Sequence, residues 1–210
     1  MNKKVDGLFA IDIPKDVENM QLPDPVLLSY YKDLAERRIW LDTELDEGWL
    51  EYERMILVWN KEDADIPVEQ RKPIKLFFFS PGGDLDINNS FIDIVKLSKT
   101  PVIGINMGIC MSGGAFTFLA CHKRYTLPKA TFLLHSGSCE GMSGTAEQIQ
   151  SYTENYKKQI KELKDYLIDD IGLDKKLVNT KMKGEWFLDA KHAVELGIAH
   201  EIVTDISVLL

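Results

Sequence analysis

An α/β fold is predicted by three features of the sequence. Two continuous apolar runs, IKLFFFS at 74–80 and PVIGINMG at 101–108, have the composition of strands buried on both faces of a parallel sheet. Each leads to a glycine turn, Pro81-Gly82-Gly83 after the first and Ser112-Gly113-Gly114 after the second. Each turn opens a segment compatible with a helix, so strand, turn, helix and strand form a βαβ crossover that repeats at once. With 210 residues, 45% of them apolar, the chain fits one large domain with a sizeable core.

The elements follow in order. After an irregular start, DPVLLSYYKDLAERR reads as a short helix with Asp24 as N-cap and Pro25 at its first position. A strand follows around Arg38-Ile39-Trp40-Leu41. Trp49, Tyr52, Ile56 and Trp59 recur at helical spacing and predict a helix with one buried face. The charged, proline-bearing stretch 60–73 reads as a surface loop. Beyond the strand at 74–80, Ile87, Phe91, Ile94 and Val95 mark one side of a helix, and the strand of 102–107 runs through Gly108 to the turn at Ser112. The run Ala115 to Ala120 is an apolar helix, and TFLLHSG predicts a further strand ending at His135.

Composition excludes several classes. Thirty-three acidic against 25 basic residues give a formal net charge of −8 without a Lys/Arg-rich patch, which argues against nucleic acid as the partner. No apolar run approaches the ~20 residues of a membrane span, so no membrane association is expected. Asp6, Asp12 and Asp16 interrupt the region where an export signal would be apolar. Cys110, Cys121 and Cys139 are odd in number and lack C-x-x-C spacing, which suits a reducing cytoplasm and disfavours a zinc site.

Ser112 stands where a strand hands over to a helix, the place where open α/β sheets gather ligands and catalytic groups. Cys110 occupies the first glycine of a G-x-S-x-G motif, so the α/β-hydrolase pattern is not matched. A serine hydroxyl needs a base within hydrogen-bond reach to act as a nucleophile. Of the four histidines, His135 alone closes a strand beside a flexible stretch, SGSCEGMSG, whereas His122, His192 and His200 read as surface residues.

From residue 36 to 204 the sequence resembles the proteolytic subunit of the Clp protease, a family of caseinolytic serine peptidases. The resemblance rests on five ordered segments: ERRIWL at 36–41, FFFSPGGDL at 77–85, GICMSGGAF at 108–116, YTLPKATFLLH at 125–135 and FLDAKHAVELGIAHEIV at 187–203. It implies the fold shared by Clp peptidases and crotonases, with repeated β-β-α units, residues 1–35 as a divergent N-terminal segment and 36–210 as the peptidase domain. It further implies Ser112 as nucleophile, His135 as general base, and the backbone N–H groups of Gly83 and Gly113 as the oxyanion hole, with no metal or organic cofactor. The family's catalytic aspartate falls on Glu185, a departure that leaves nearby Asp189 as the alternative. Substrates would be unfolded proteins or peptides.

Two further departures concern the family's partners and its substrate loop. The family has glutamine and proline after the histidine, where this chain has Ser136-Gly137-Ser138-Cys139, so a more mobile loop is expected. The first 35 residues lack the usual pattern for meeting an ATP-dependent unfoldase, so that partnership is not carried over directly. A catalytically silent ring subunit, or a crotonase-type enzyme using the glycine turn on a coenzyme A thioester, stay open as alternatives.

Residues 144–172 predict one long helix, about 145–171, with Thr145 and Gln148 at capping-box spacing and Gly172 at its stop. Ile149, Tyr152, Tyr156, Ile160, Leu163 and Leu167 form one apolar stripe. In the resembled family this segment is the handle between facing rings, which implies a homo-oligomer of two stacked heptameric rings. The residues themselves also permit a helix packed on its own sheet.

Overall fold

The computed structural model describes residues 24–139 and 143–210. The expectation about an export signal lies outside the described residues. The chain divides into two units, one ending at Glu36 and one running from Arg37 to Leu210. In the first, helix α1 (Pro25–Ala35) starts as expected: the Asp24 carboxylate accepts the Val26 N–H at 2.9 Å, and Pro25 needs no partner at the first helical position.

The second unit runs β1 (Arg38–Leu41), α2 (Trp49–Glu62), β2 (Ile74–Ser80), α3 (Leu85–Leu97), β3 (Val102–Met111), α4 (Gly113–Ala120), β4 (Lys123–Thr126) and β5 (Thr131–Leu134). There follow α5 (Ala146–Asp169), α6 (Lys175–Lys181), β6 (Trp186–Asp189), α7 (Ala190–Glu195) and β7 (Glu201–Ile202). The strands form one sheet in the order β1-β2-β3-β4-β7, with β5 also on β3 and β6 on β5. Every pairing is parallel except β5 with β6.

The forked edge of β3 positions everything that follows. Residues Ile103 to Asn106 pair with β4, then Ile109 to Met111 pair with β5. Between the two, the Phe79 ring fills the space over Gly108 so closely that a Cβ there would lie 2.6 Å from it. The strand therefore passes through Gly108 and ends at Met111, beyond the 107 that the apolar pattern predicts. Asn106, fully buried, allows this: its side chain donates to the Thr131 carbonyl at 3.2 Å and accepts the Gly108 N–H at 3.0 Å, so no polar group is left unpaired.

The core lies on both sides of β2 and β3. Phe78, Phe118 and Phe132 stack edge-on and tilted at centroid distances of 5.4 and 5.2 Å, joining β2, α4 and β5. The predicted faces of α2 and α3 turn inward: Trp49, Ile56, Phe91 and Val95 are buried, with Tyr52, Trp59, Ile87 and Ile94 packed at the margin. At the end of α2, buried Asp63 accepts two hydrogen bonds from the Arg37 guanidinium, at 2.6 and 2.8 Å, and one from the Thr100 hydroxyl at 2.7 Å. The Arg37 hydrogen bonds hold that carboxyl below the usual carboxylate range.

Helix α5 has the predicted capping box, formed by Thr145 and Gln148. Its apolar stripe, however, divides in two. Leu163 and Leu167 are buried in the core, Tyr156 and Ile160 sit at its margin, and Ile149 and Tyr152 remain exposed. The reading of a helix packed on its own sheet holds for the C-terminal half, and the N-terminal half keeps its apolar residues exposed. No described helix is long and apolar enough to cross a membrane.

Candidate active site

Ser112 occupies the single residue between β3 and α4. Its backbone has φ 50° and ψ −127°, a conformation rarely adopted by a residue with a side chain and costing on the order of 1–3 kcal/mol. The surroundings hold it there. The Ser112 N–H donates to the Leu133 carbonyl at 2.8 Å, while its own carbonyl accepts the Ala115 and Phe116 N–H groups of α4. The turn thus has the strained strand-to-helix geometry of a nucleophile elbow without the G-x-S-x-G sequence.

Strand pairing brings the partners of Ser112 to it. The last β3–β5 pair is Met111 with Leu133, so the ends of the two strands lie side by side. His135 follows one residue beyond β5, and its Nε2 is 2.7 Å from Ser112 Oγ. The last β5–β6 pair is Leu134 with Trp186, so in the antiparallel register Glu185 stands opposite His135. Glu185 Oε1 lies 3.1 Å from His135 Nδ1. A carboxylate oxygen accepts, so a bond to Glu185 requires the ring proton on Nδ1 and leaves the Nε2 lone pair to the serine hydroxyl.

Asp189 is placed differently. It pairs in register with Thr131, four residues up the strand from Glu185, and caps α7 by accepting the His192 N–H at 2.9 Å. The His192 ring nitrogen Nδ1 lies 2.8 Å from the same carboxylate oxygen. These bonds from His192 hold the Asp189 carboxyl below its ordinary range. The other two histidines serve backbone amides: His122 Nδ1 accepts the Val102 N–H at 2.9 Å, and His200 Nδ1 accepts the Arg124 N–H at 3.1 Å.

Gly83 and Gly113 line the same cleft as Ser112 and His135. Gly83, at φ 153°, forms a parallel bridge with Leu45, and a Cβ on it would lie 2.2 Å from the Leu45 carbonyl oxygen. The hydrogen bonds of this bridge run from Leu45 N–H to Gly82 carbonyl and from Asp84 N–H to Leu45 carbonyl. They leave the Gly83 N–H outside the bridge. Gly113 is the first residue of α4, where an N–H has no intrahelical acceptor. The turn is pinned from below by Ser80, whose hydroxyl donates to the Thr43 carbonyl at 2.6 Å and accepts the Gly82 N–H at 3.2 Å.

Sequence reasoning overlooked four contributors. Gly82 must be glycine because a Cβ would come within 2.6 Å of the Ser112 Cβ, and Leu45 supplies the edge against which Gly83 bridges. Glu44 lines the cleft, and so does Tyr156, read only as part of an apolar stripe. The cleft holds about 340 Å³, and Leu85, Phe116, Leu133, Ile160 and Leu163 supply its apolar lining. Beneath the turn the buried Cys110 thiol donates to the Gly114 carbonyl at 3.3 Å, and burial pushes its pKa well up, so it stays a neutral packing group.

The chain matches the Clp protease family over residues 27–205. Among curated relatives, the ATP-dependent Clp protease proteolytic subunit 2 of Treponema pallidum is 31% identical over 134 residues, 63% of this chain and 67% of the relative. The subunit of the same name from Borreliella burgdorferi is 30% identical over 135 residues, 63% of this chain and 68% of the relative. The alignments thus span about two thirds of these relatives. A mutant of ClpP1 from Listeria monocytogenes superposes with a TM-score of 0.72, covering 87% of this chain and 99% of that one at 19% identity, and so shares the fold.

Proposed function

The chain belongs to the Clp protease family, and on that premise we propose that it is a serine endopeptidase with Ser112 as nucleophile, His135 as general base and Glu185 as the third member. The observation that carries this reading is the row Ser112–His135–Glu185, with contacts of 2.7 and 3.1 Å, built on a strained serine. Backbone strain of that kind persists where a site is pre-organised.

In the first half-reaction Ser112 Oγ bonds to the scissile carbonyl carbon while His135 Nε2 takes the hydroxyl proton. The carbonyl oxygen becomes an oxyanion, received by the N–H groups of Gly83 and Gly113, and each such donor is worth roughly 10²–10³ in rate. His135 then gives its proton to the departing amine as the C–N bond breaks. Water repeats the sequence on the acyl-serine and frees the acid. Glu185 keeps the ring proton on Nδ1 and balances the transient imidazolium. A crotonase-type reaction would use the glycine turn without Ser112 and gives no reason for the serine's strained, histidine-bonded geometry.

The wider reading is of unfolded or peptide substrates cleaved inside a homo-oligomeric chamber of two stacked heptameric rings, in the cytoplasm. Mass spectrometry after exposure to a fluorophosphonate tests the chemistry. The probe is expected on Ser112 alone, and Ser112→Ala is expected to abolish both labelling and hydrolysis of short peptides. Hydrolysis retained in that variant would refute the assignment; an unlabelled, inactive wild type would leave a silent ring subunit.

A further inference from the structure

We propose that Tyr156 is a positioning residue, whose hydroxyl holds the backbone beside His135 in the orientation that Ser112 requires; this rests on the peptidase reading above. His135 lies outside the sheet ladder, since the pairings of β5 end at Leu133 on one side and Leu134 on the other. The chain just after it must therefore be fixed by other means. Ser136 is tied twice: its carbonyl accepts the Tyr156 hydroxyl at 3.0 Å, and its own hydroxyl donates to the Met182 carbonyl at 2.7 Å. The loop expected to be mobile is anchored at its first residue to both α5 and the end of α6.

Gly137 is shaped to this contact. Its φ is 75°, and a Cβ on it would stand 2.7 Å from the Tyr156 hydroxyl, with the next atoms, of Ile160 and the tyrosine ring, at 3.7 and 3.8 Å. The only serious obstacle to a side chain at 137, besides the backbone conformation, is thus the hydroxyl itself. Burial pushes the Tyr156 phenol above its ordinary pKa, so it remains a donor across the range in which a peptidase works. Tyr156 also lines the cleft, and a role confined to contacting substrate is the alternative to be separated.

Kinetics separate the two. Once the wild type is shown to label with a small fluorophosphonate, Tyr156→Phe removes the hydroxyl and keeps the ring. A lost neutral hydrogen bond corresponds to roughly a tenfold effect, so kcat and the labelling rate are expected to fall together by about that factor, with KM unchanged. Gly137→Ala displaces the same hydroxyl and is expected to give a similar loss, and adding Tyr156→Phe to it should cost nothing more, because the bond is already broken. A wild-type labelling rate in Tyr156→Phe, a change in KM alone, or additive losses in the double variant would each overturn the inference while leaving the peptidase reading intact. A wild type that neither labels nor hydrolyses overturns both.

Discussion

Glu185 reaches His135 across two antiparallel strands, its Oε1 3.1 Å from the ring Nδ1, although the resembled family carries the shorter aspartate at this position. The extra methylene closes the gap from a backbone that stands one register step beyond the last β5–β6 pair. The carboxylate is 56% exposed on its side chain, so water shares in stabilising its charge. In the proposed mechanism its directional role on the ring proton outweighs its field.

Variants at Glu185 follow from this geometry. Glu185→Gln is expected to lower kcat by about 10²–10⁴, the upper figure being the loss on amidating a buried triad acid and the lower allowing for solvent around this one. Glu185→Asp withdraws the carboxylate by about 1.5 Å, the length of one carbon–carbon bond, and is also expected to be impaired. Asp189→Asn should leave the rate near that of the wild type, because that carboxylate serves His192 and α7. Steady-state hydrolysis of a fluorogenic peptide checks all three; an active Glu185→Gln beside an inactive Asp189→Asn would reverse the assignment.

Ser112 and His135, which the structure brings within 2.7 Å, are legible as candidates because each stands near a strand end, and strand ends are readable from composition. Glu185 came only through resemblance: its position opposite His135 depends on an antiparallel pairing between segments 50 residues apart, and no local pattern encodes it. Leu45 and Gly82 escaped notice for a similar reason, since what they touch is backbone from another segment. Tyr156 was read as an apolar stripe residue because periodicity registers the ring and is blind to the hydroxyl. The apolar pattern stops near Gly108, whereas the strand continues through it to Met111 because Asn106 pairs the polar groups on the way.

The pair Arg37–Asp63 predicts a pH-dependent part of the stability. Asp63→Asn leaves the guanidinium, 13% exposed, without its counter-charge, a type of loss that costs about 3–5 kcal/mol. The low end is expected, because Arg37 also donates to the Lys72 carbonyl and has Glu62 at 3.6 Å. The folded carboxyl lies below its unfolded value of about 3.9, so the contribution is fully present above that pH and is lost as pH falls through the folded value. Urea unfolding at fixed protein concentration should show a deficit at pH 7 that shrinks as the pH drops below 4. A deficit independent of pH would assign the effect to packing.

Assembly is the last consequence of how α5 divides. The helix has 24 residues, about 36 Å at 1.5 Å per residue, yet Leu163 and Leu167 alone are buried, both near its C-terminal end. Its first turns carry Ile149 and Tyr152, the latter 55% exposed, and none of their residues is buried. Short helical stretches without tertiary packing are marginal in water, so this end calls for a partner, and a second copy of the helix offers the same apolar pair. Light scattering is expected to give a mass many times the 23.9 kDa of one chain. Tyr152→Lys should lower that mass by placing a charge in the contact, whereas Tyr152→Phe should preserve it. Tyr152 does not line the cleft, so a loss of activity in Tyr152→Lys that follows the loss of mass would report on assembly. A wild type that is monomeric and fully active at micromolar concentration would defeat the proposal.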